Sequence, residues 1–173
     1  EVITQNPKLS DFRSQIKLDI TNDGLRIQIV DELNRPMFDI GSAVVKDYMR
    51  ELLRGIGKVL NGVRNPISIS GHTDSAPYGS GERGYSNWEL SADRANASRR
   101  ELVAGGIDED KVVRVIGLGS TVMYDAENPR NPMNRRISIV VLNSVAEARV
   151  KRGIEVDASD SETVERAVAG AEI

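Results

Sequence analysis

Residues 67–95, ISISGHTDSAPYGSGERGYSNWELSADRA, carry most of the information in this chain. The alternation Ile67-Ser68-Ile69-Ser70 predicts a short β-strand ending at Gly71. A polar, glycine-rich loop over 72–86 follows. Ser86-Asn87-Trp88-Glu89 has the spacing of a capping box, in which a serine hydroxyl and a glutamate carboxylate satisfy the free N–H groups of a first helical turn. A helix is therefore expected over about 88–104, stopped by Gly105-Gly106. Asp74 then falls just past the strand end. Arg94 falls in the second turn of the helix, with Leu90 one turn earlier on the same face. Strand ends and helix starts are rigid, so the two charges can face one pocket at a fixed separation. Such a pair suits a zwitterion, with Asp74 accepting from an ammonium and Arg94 gripping a carboxylate through two N–H groups. The spacing is equally compatible with a plain Asp74–Arg94 ion pair.

On the N-terminal side, Ile16, Leu18 and Ile20 alternate with polar residues, and Leu25, Ile27 and Ile29 do so after Asn22-Asp23-Gly24. This pattern predicts a β-hairpin. Residues 31–42, with Pro36 and Gly41, read as a loop. Val45, Tyr48, Met49, Leu52, Leu53, Ile56, Val59 and Leu60 recur at helical spacing and predict an amphipathic helix over 43–61, capped by Ser42. Gly55 and Gly57 each weaken it by about 1 kcal/mol relative to alanine, so it depends on tertiary packing. On the C-terminal side, Lys111 to Ile116 predicts a strand, 118–134 a long loop with Pro129 and Pro132, and Ile137, Ile139 and Val141 a last strand. In the order ββαβαββ, strands separated by helices can pair in parallel while the hairpin is antiparallel. The expected fold is α+β: a two-layer sandwich of a mixed sheet with helices on one face. Residues 1–15 read as a linker broken by Pro7, 16–143 as the folded domain, and 144–173 as an acidic, flexible tail in which Val164, Ala167, Val168 and Ala171 allow a weak helix.

Composition narrows the function. The net charge is −3, and residues 144–173, with seven acids and four bases, account for all of it. The balanced remainder argues against a nucleic-acid binder, so an anion site must be a local arrangement of arginines. There is no cysteine and one histidine, His72. Zinc hydrolases need about three protein ligands, usually with two or more histidines, so neither His72 with Asp74 nor a His-Glu-x-x-His helix supplies a metal centre. No serine near His72 lies in a Gly-x-Ser-x-Gly elbow. Gly79-Ser80-Gly81 and Gly117-Leu118-Gly119 lack the Gly-Lys-Ser/Thr ending of a phosphate loop. No apolar run approaches the roughly 20 residues that cross a bilayer. Without a signal peptide or an initiating methionine, the sequence reads as a processed piece of a longer chain.

Gly71-His72-Thr73-Asp74, then Asn87-x-x-Leu90-Ser91-x-x-Arg94-Ala95, then Asn134-Arg135-Arg136-Ile137 resemble, in order and internal spacing, the motifs of the OmpA-like peptidoglycan-binding family. The resemblance covers roughly residues 16–142. Within that family, the stretches 36–43 and 84–96 resemble the MotB-type flagellar stator branch, and so does the loop between Asp74 and Asn87, longer than in OmpA itself or in Pal lipoproteins. The resemblance implies a β-α-β-α-β core and a non-catalytic module that binds peptidoglycan and anchors the stator to the cell wall. It implies that Asp74 holds the ammonium, and Arg94 the carboxylate, of meso-diaminopimelate in the stem peptide. Thr73, Asn87 and Leu90 would line that pocket, with Phe38 and Asp39 approaching from the first loop. One of Arg135 and Arg136 would add a contact, Arg135 being favoured. The resemblance further implies no cofactor and no metal, a homodimer partnered by MotA, and a periplasmic location. A single transmembrane helix outside this sequence would hold the full-length protein in the inner membrane. A structural OmpA- or Pal-like wall tether outside the motor is the alternative.

Overall fold

The computed structural model describes residues 10–78 and 84–153. Five strands, β1 (Ile16–Thr21), β2 (Gly24–Val30), β3 (Ile67–His72), β4 (Val112–Gly117) and β5 (Arg136–Leu142), form one sheet in the order β1-β2-β5-β3-β4. Neighbours are antiparallel except β3 and β4, which run parallel. The crossover between them contains helix α2 (Asn87–Ala104), which packs on both strands and against α1 (Asp47–Asn61). The result is the expected α+β sandwich.

One apolar row explains the layering. Leu18, Ile27, Ile139, Ile69 and Val115 lie in register on the five successive strands. Side chains alternate faces along a strand, so the row lies on a single face. Met49, Leu52, Leu53, Ile56 and Leu60 recur at helical spacing, form one stripe on α1, and join Leu102 of α2 in the same buried core. Full burial of each such side chain contributes about 1.5–3 kcal/mol.

The next row, at the end of the sheet where β3 finishes, reads Ile16, Ile29, Ile137, Gly71 and Gly117. Its two glycines let the α2 backbone settle onto β3 and β4. A Cβ on Gly71 would stand 2.0 Å from the Ser91 carbonyl oxygen, and one on Gly117 2.6 Å from the Ala92 nitrogen. Gly57 has the same role between the helices, where a Cβ would stand 2.2 Å from the Leu102 carbonyl oxygen. The propensity that Gly57 costs α1 is thus offset by close helix packing.

Several boundaries differ from those expected. α1 begins at Asp47 rather than 43, and Lys46, not Ser42, precedes it. The reason is that Val45 forms an antiparallel bridge with Phe38 and the Lys46 N–H donates to the Met37 carbonyl, which keeps 43–46 out of the helix. β3 extends through His72, because Gly71 and His72 still pair with Ile137 and Arg136. Residues 10–15, expected in the linker, pack on the domain: Phe12 stacks on Tyr48 at 6.2 Å, and the buried Gln15 side chain donates to the carbonyls of Val30 and Arg35. These partners are distant in sequence, so local periodicity could not indicate them. Residues 144–152, expected as the start of a flexible tail, form helix α3 (Ser144–Arg152), capped by the Asn143 side chain and docked by buried Ala146. The remainder of the linker (1–9), the tail beyond 153 with its expected weak helix, and loop residues 79–83 lie outside the described residues.

Candidate functional site

The end of the sheet where β2 and β3 finish and β5 begins opens into a cleft of about 740 Å³. β3 delivers Thr73 and Asp74 to it, β2 delivers Asp31, and the chain entering β5 delivers Arg135. α2 contributes Asn87, Leu90 and Arg94, and the loop before α1 contributes Phe38, Asp39, Ile40 and Gly41. All eight expected binding residues, Asp74, Arg94, Thr73, Asn87, Leu90, Arg135, Phe38 and Asp39, line this one space.

Local chemistry fixes each of them. The Asp74 carboxylate accepts from the Ala76 N–H at 2.9 Å, an aspartate turn that folds the chain back at the strand end. The Thr73 and Ser75 N–H groups donate to the Gly119 and Pro129 carbonyls, which ties this loop to 118–134. The capping box at Ser86 forms as expected and starts α2 at Asn87, whose side-chain amide donates to the Ala76 carbonyl at 2.8 Å. The Thr73 hydroxyl is buried and has no hydrogen-bond partner among the described residues, an uncommon state for a native polar group.

Arg94 is 6% exposed. Its Nε donates to the Ser42 carbonyl at 2.9 Å and its Nη2 to the Asp39 carbonyl at 3.2 Å, while the guanidinium lies 4.8 Å from the Phe38 ring centre. Among the described residues it has no ion-pair partner and Nη1 makes no hydrogen bond. Burial pushes its pKa down, with Asp31 and Asp74 opposing from a distance. A guanidinium stays charged regardless. A buried cation satisfied only by carbonyl dipoles and an aromatic face is costly by itself, and an anionic ligand would offset that cost. The plain Asp74–Arg94 ion pair is not formed.

Asp74 instead pairs with Arg135. Arg135 Nη1 donates to Asp74 at 2.7 Å and Arg135 Nε to Asp31 at 3.0 Å. Burial works against the Arg135 charge, and the two carboxylates outweigh it and raise its pKa. Burial raises the Asp31 pKa, partly countered by the Met37 N–H and by Arg135. Two carboxylates and two guanidiniums thus balance in the cleft. Arg136 turns away: it donates to the Gln28 side chain and to the Asn134 and Val122 carbonyls, and burial with nearby Arg26 lowers its pKa to about 10. Asp39 meets Arg94 through its backbone, and its carboxylate pairs with Lys46. His72 sits in the sheet with Nε2 3.3 Å from the Ser70 hydroxyl, and burial plus Arg136 lower its pKa to about 4. Among the described residues no three His, Cys, Asp or Glu side chains converge as metal ligands would.

Asp31 and Tyr78 are two of the lining residues that sequence reading missed, and the two whose side chains carry polar groups. Asp31 had a visible signal, since it stands just past β2 as Asp74 stands just past β3. Tyr78, whose hydroxyl approaches the Gly41 carbonyl across the cleft at 3.3 Å, had none.

Residues 37–136 match the model of the OmpA family. The chain is 57% identical over 150 residues to Motility protein B of Escherichia coli, an alignment covering 87% of this chain and 49% of that protein, so the chain spans about half the length of this curated relative. Among solved structures it resembles the cell wall anchor of the T6SS from Pseudomonas aeruginosa (27% identity, TM-score 0.63, 79% of this chain and 95% of that one). It shares its fold with the periplasmic domain of Helicobacter pylori MotB (21% identity, TM-score 0.62, 82% and 92%).

Proposed function

Because this chain belongs to the OmpA family, we propose that it is a non-catalytic peptidoglycan-binding module that anchors a flagellar stator to the cell wall. The observation that carries the proposal is that Asp74 and Arg94 line one cleft without pairing with each other. The ligand that fits is a zwitterion on a stem peptide, meso-diaminopimelate, with its ammonium at Asp74 and its carboxylate at Arg94 and Arg135. Thr73 and Asn87 offer polar contacts beside it, and Leu90 and Phe38 supply apolar wall. The 57% identity to Motility protein B supports the motor assignment. On that assignment the whole protein works in the inner membrane as a homodimer with MotA, and this module lies in the periplasm.

Sedimentation with purified sacculi tests the binding. Asp74→Asn and Arg94→Ala each remove one charge-assisted contact worth about 1.5–3 kcal/mol, or roughly tenfold to a hundredfold in affinity. Folded variants that sediment like the parent would refute the zwitterion reading. The likeness to the T6SS cell wall anchor favours a second reading, a wall tether outside the motor. Restoration of swimming in a stator-deficient cell by a chimera carrying this domain supports the first reading, and wall binding without swimming supports the second.

A further inference from the structure

The cleft contains one buried charge with no role in the reading above. Asp31 is 4% exposed, and both oxygens of its carboxylate are committed. One accepts from the Met37 N–H at 2.7 Å, and the other from Arg135 Nε at 3.0 Å. The Asp31 N–H donates to the Arg135 carbonyl at 3.0 Å, so the two residues are bound through backbone and side chain. We propose that Asp31 is a positioning residue: it holds Nε of Arg135 so that Asp74 keeps capacity for a ligand ammonium and Arg135 keeps its Nη2 donors for a ligand carboxylate.

Guanidinium geometry carries the argument. Nε and Nη1 lie on opposite edges of the plane, and here they reach two different carboxylates, Asp31 and Asp74. Nη2 makes no hydrogen bond among the described residues. Shared between two acids, Arg135 cannot close its side-on fork onto Asp74, the arrangement that would satisfy both partners and exclude a competing cation. Charge balance leads to the same conclusion. Asp31 and Asp74 against Arg94 and Arg135 sum to zero, which suits a ligand carrying one charge of each sign. Without the Asp31 charge the cleft is net positive and disfavours the ammonium. Met37 N–H, the other group on the Asp31 carboxylate, connects it to the loop bearing Phe38 and Asp39.

The inference rests on the zwitterion reading, and the experiment separates the two. The probes are the tripeptide L-Ala-γ-D-Glu-meso-diaminopimelate and the same peptide acetylated on its free side-chain amine, measured by calorimetry. Asp31→Asn keeps an oxygen for the Met37 N–H and removes both the charge and the oxygen that accepts from Arg135 Nε. It is expected to weaken the free-amine peptide about tenfold and the acetylated peptide less than twofold. In an Arg135→Ala background the same change is expected to add less than twofold, because the partner it positions is gone. Arg135→Lys, which keeps the charge but lacks the fork, is expected to lose the same discrimination and serves if Asp31→Asn does not fold. Equal losses for both peptides, or additive losses in the Arg135→Ala background, overturn the proposal and leave Asp31 a structural acid. If the parent protein binds neither peptide, the function proposed above fails. The NMR signal of the Arg135 Nε–H in ligand-free protein then decides: its loss in Asp31→Asn supports the positioning contact, and its persistence overturns it.

Discussion

Alanine at position 71 adds a methyl group where β3 meets α2, and its effect can be worked from distances. The new Cβ would stand 2.0 Å from the Ser91 carbonyl oxygen and 2.9 Å from its carbon. Reaching a tolerable 3.0–3.4 Å requires α2 to retreat by about 1.0–1.4 Å. The atom it meets is backbone in mid-helix, so no side chain can swing aside. Overpacking of this kind costs about 1–3 kcal/mol, occasionally more, and we expect the upper end, since α2 is also seated on Gly57 and Gly117. For a chain of this size that lowers the melting temperature by roughly 6–12 °C. The consequence for binding is separate. Arg94 lies one turn beyond Ser91, and its 2.9 Å bond to the Ser42 carbonyl would stretch beyond hydrogen-bonding distance. Gly71→Ala should therefore lose sacculus binding even at temperatures where circular dichroism shows it folded. Gly62→Ala is the control, because its Cβ meets nothing closer than 3.4 Å at a right-handed φ of −72°, and it should shift stability by less than about 0.5 kcal/mol. A Gly71→Ala protein that melts within 2 °C of the parent (against the roughly 6–12 °C expected) and binds sacculi normally would show that α2 does not approach β3 as described.

Two more outcomes are expected. The folded pKa of His72, about 4, lies below its ordinary 6.5 because of burial and Arg136, so the stability from its neutral ring is present above pH 6.5 and is lost as pH falls towards 4. The difference amounts to roughly 3 kcal/mol; His72→Gln should flatten that limb in urea titrations at pH 7, 5.5 and 4, and parallel curves for parent and variant would refute it. Cutting the chain after Gly153 should leave the melting temperature unchanged, whereas cutting after Leu142 removes the Asn143 bonds to Asn22 and Asp23 and the buried Ala146, at a cost of about 1–3 kcal/mol; equal melting of the two truncations would mean that α3 contributes nothing.

Features set by near neighbours were legible in the sequence. The hairpin strands, the capping box and the Gly105 stop each depend on residues within a few positions of one another, and they formed within one or two residues of where they were expected. α1 was misplaced at its start because Val45 belongs to the apolar period and also bridges Phe38, and the tertiary contact prevailed. The cleft residues were legible through motifs, but their bonding was not. Spacing brings Asp74 and Arg94 to one place and cannot show that Arg135, 61 residues on from Asp74, takes the acid while carbonyls of the first loop take the arginine. The choice between Arg135 and Arg136 turns on which side of β5 each side chain leaves. Gly57, a defect in a propensity count, becomes intelligible only once the backbone of α2 lies against it.

The row Ile16, Ile29, Ile137, Gly71 puts the entry of the chain into β1 at the same end of the sheet as the cleft. A pull on the chain entering β1, resisted by a ligand in the cleft, would load the sheet from that one end. Loaded that way, an edge strand peels, giving up its hydrogen bonds one pair at a time from Ile16, and peeling yields at far lower force than shear. Gln15 stands ahead of that first pair as a rivet, with its amide fastened to the carbonyls of Val30 and Arg35 and Phe12 stacked beside it on Tyr48. From Gln15 the load passes to Val30, its neighbour Asp31, then Arg135 and Asp74. Such a tension would pass through five residues at one end of the molecule.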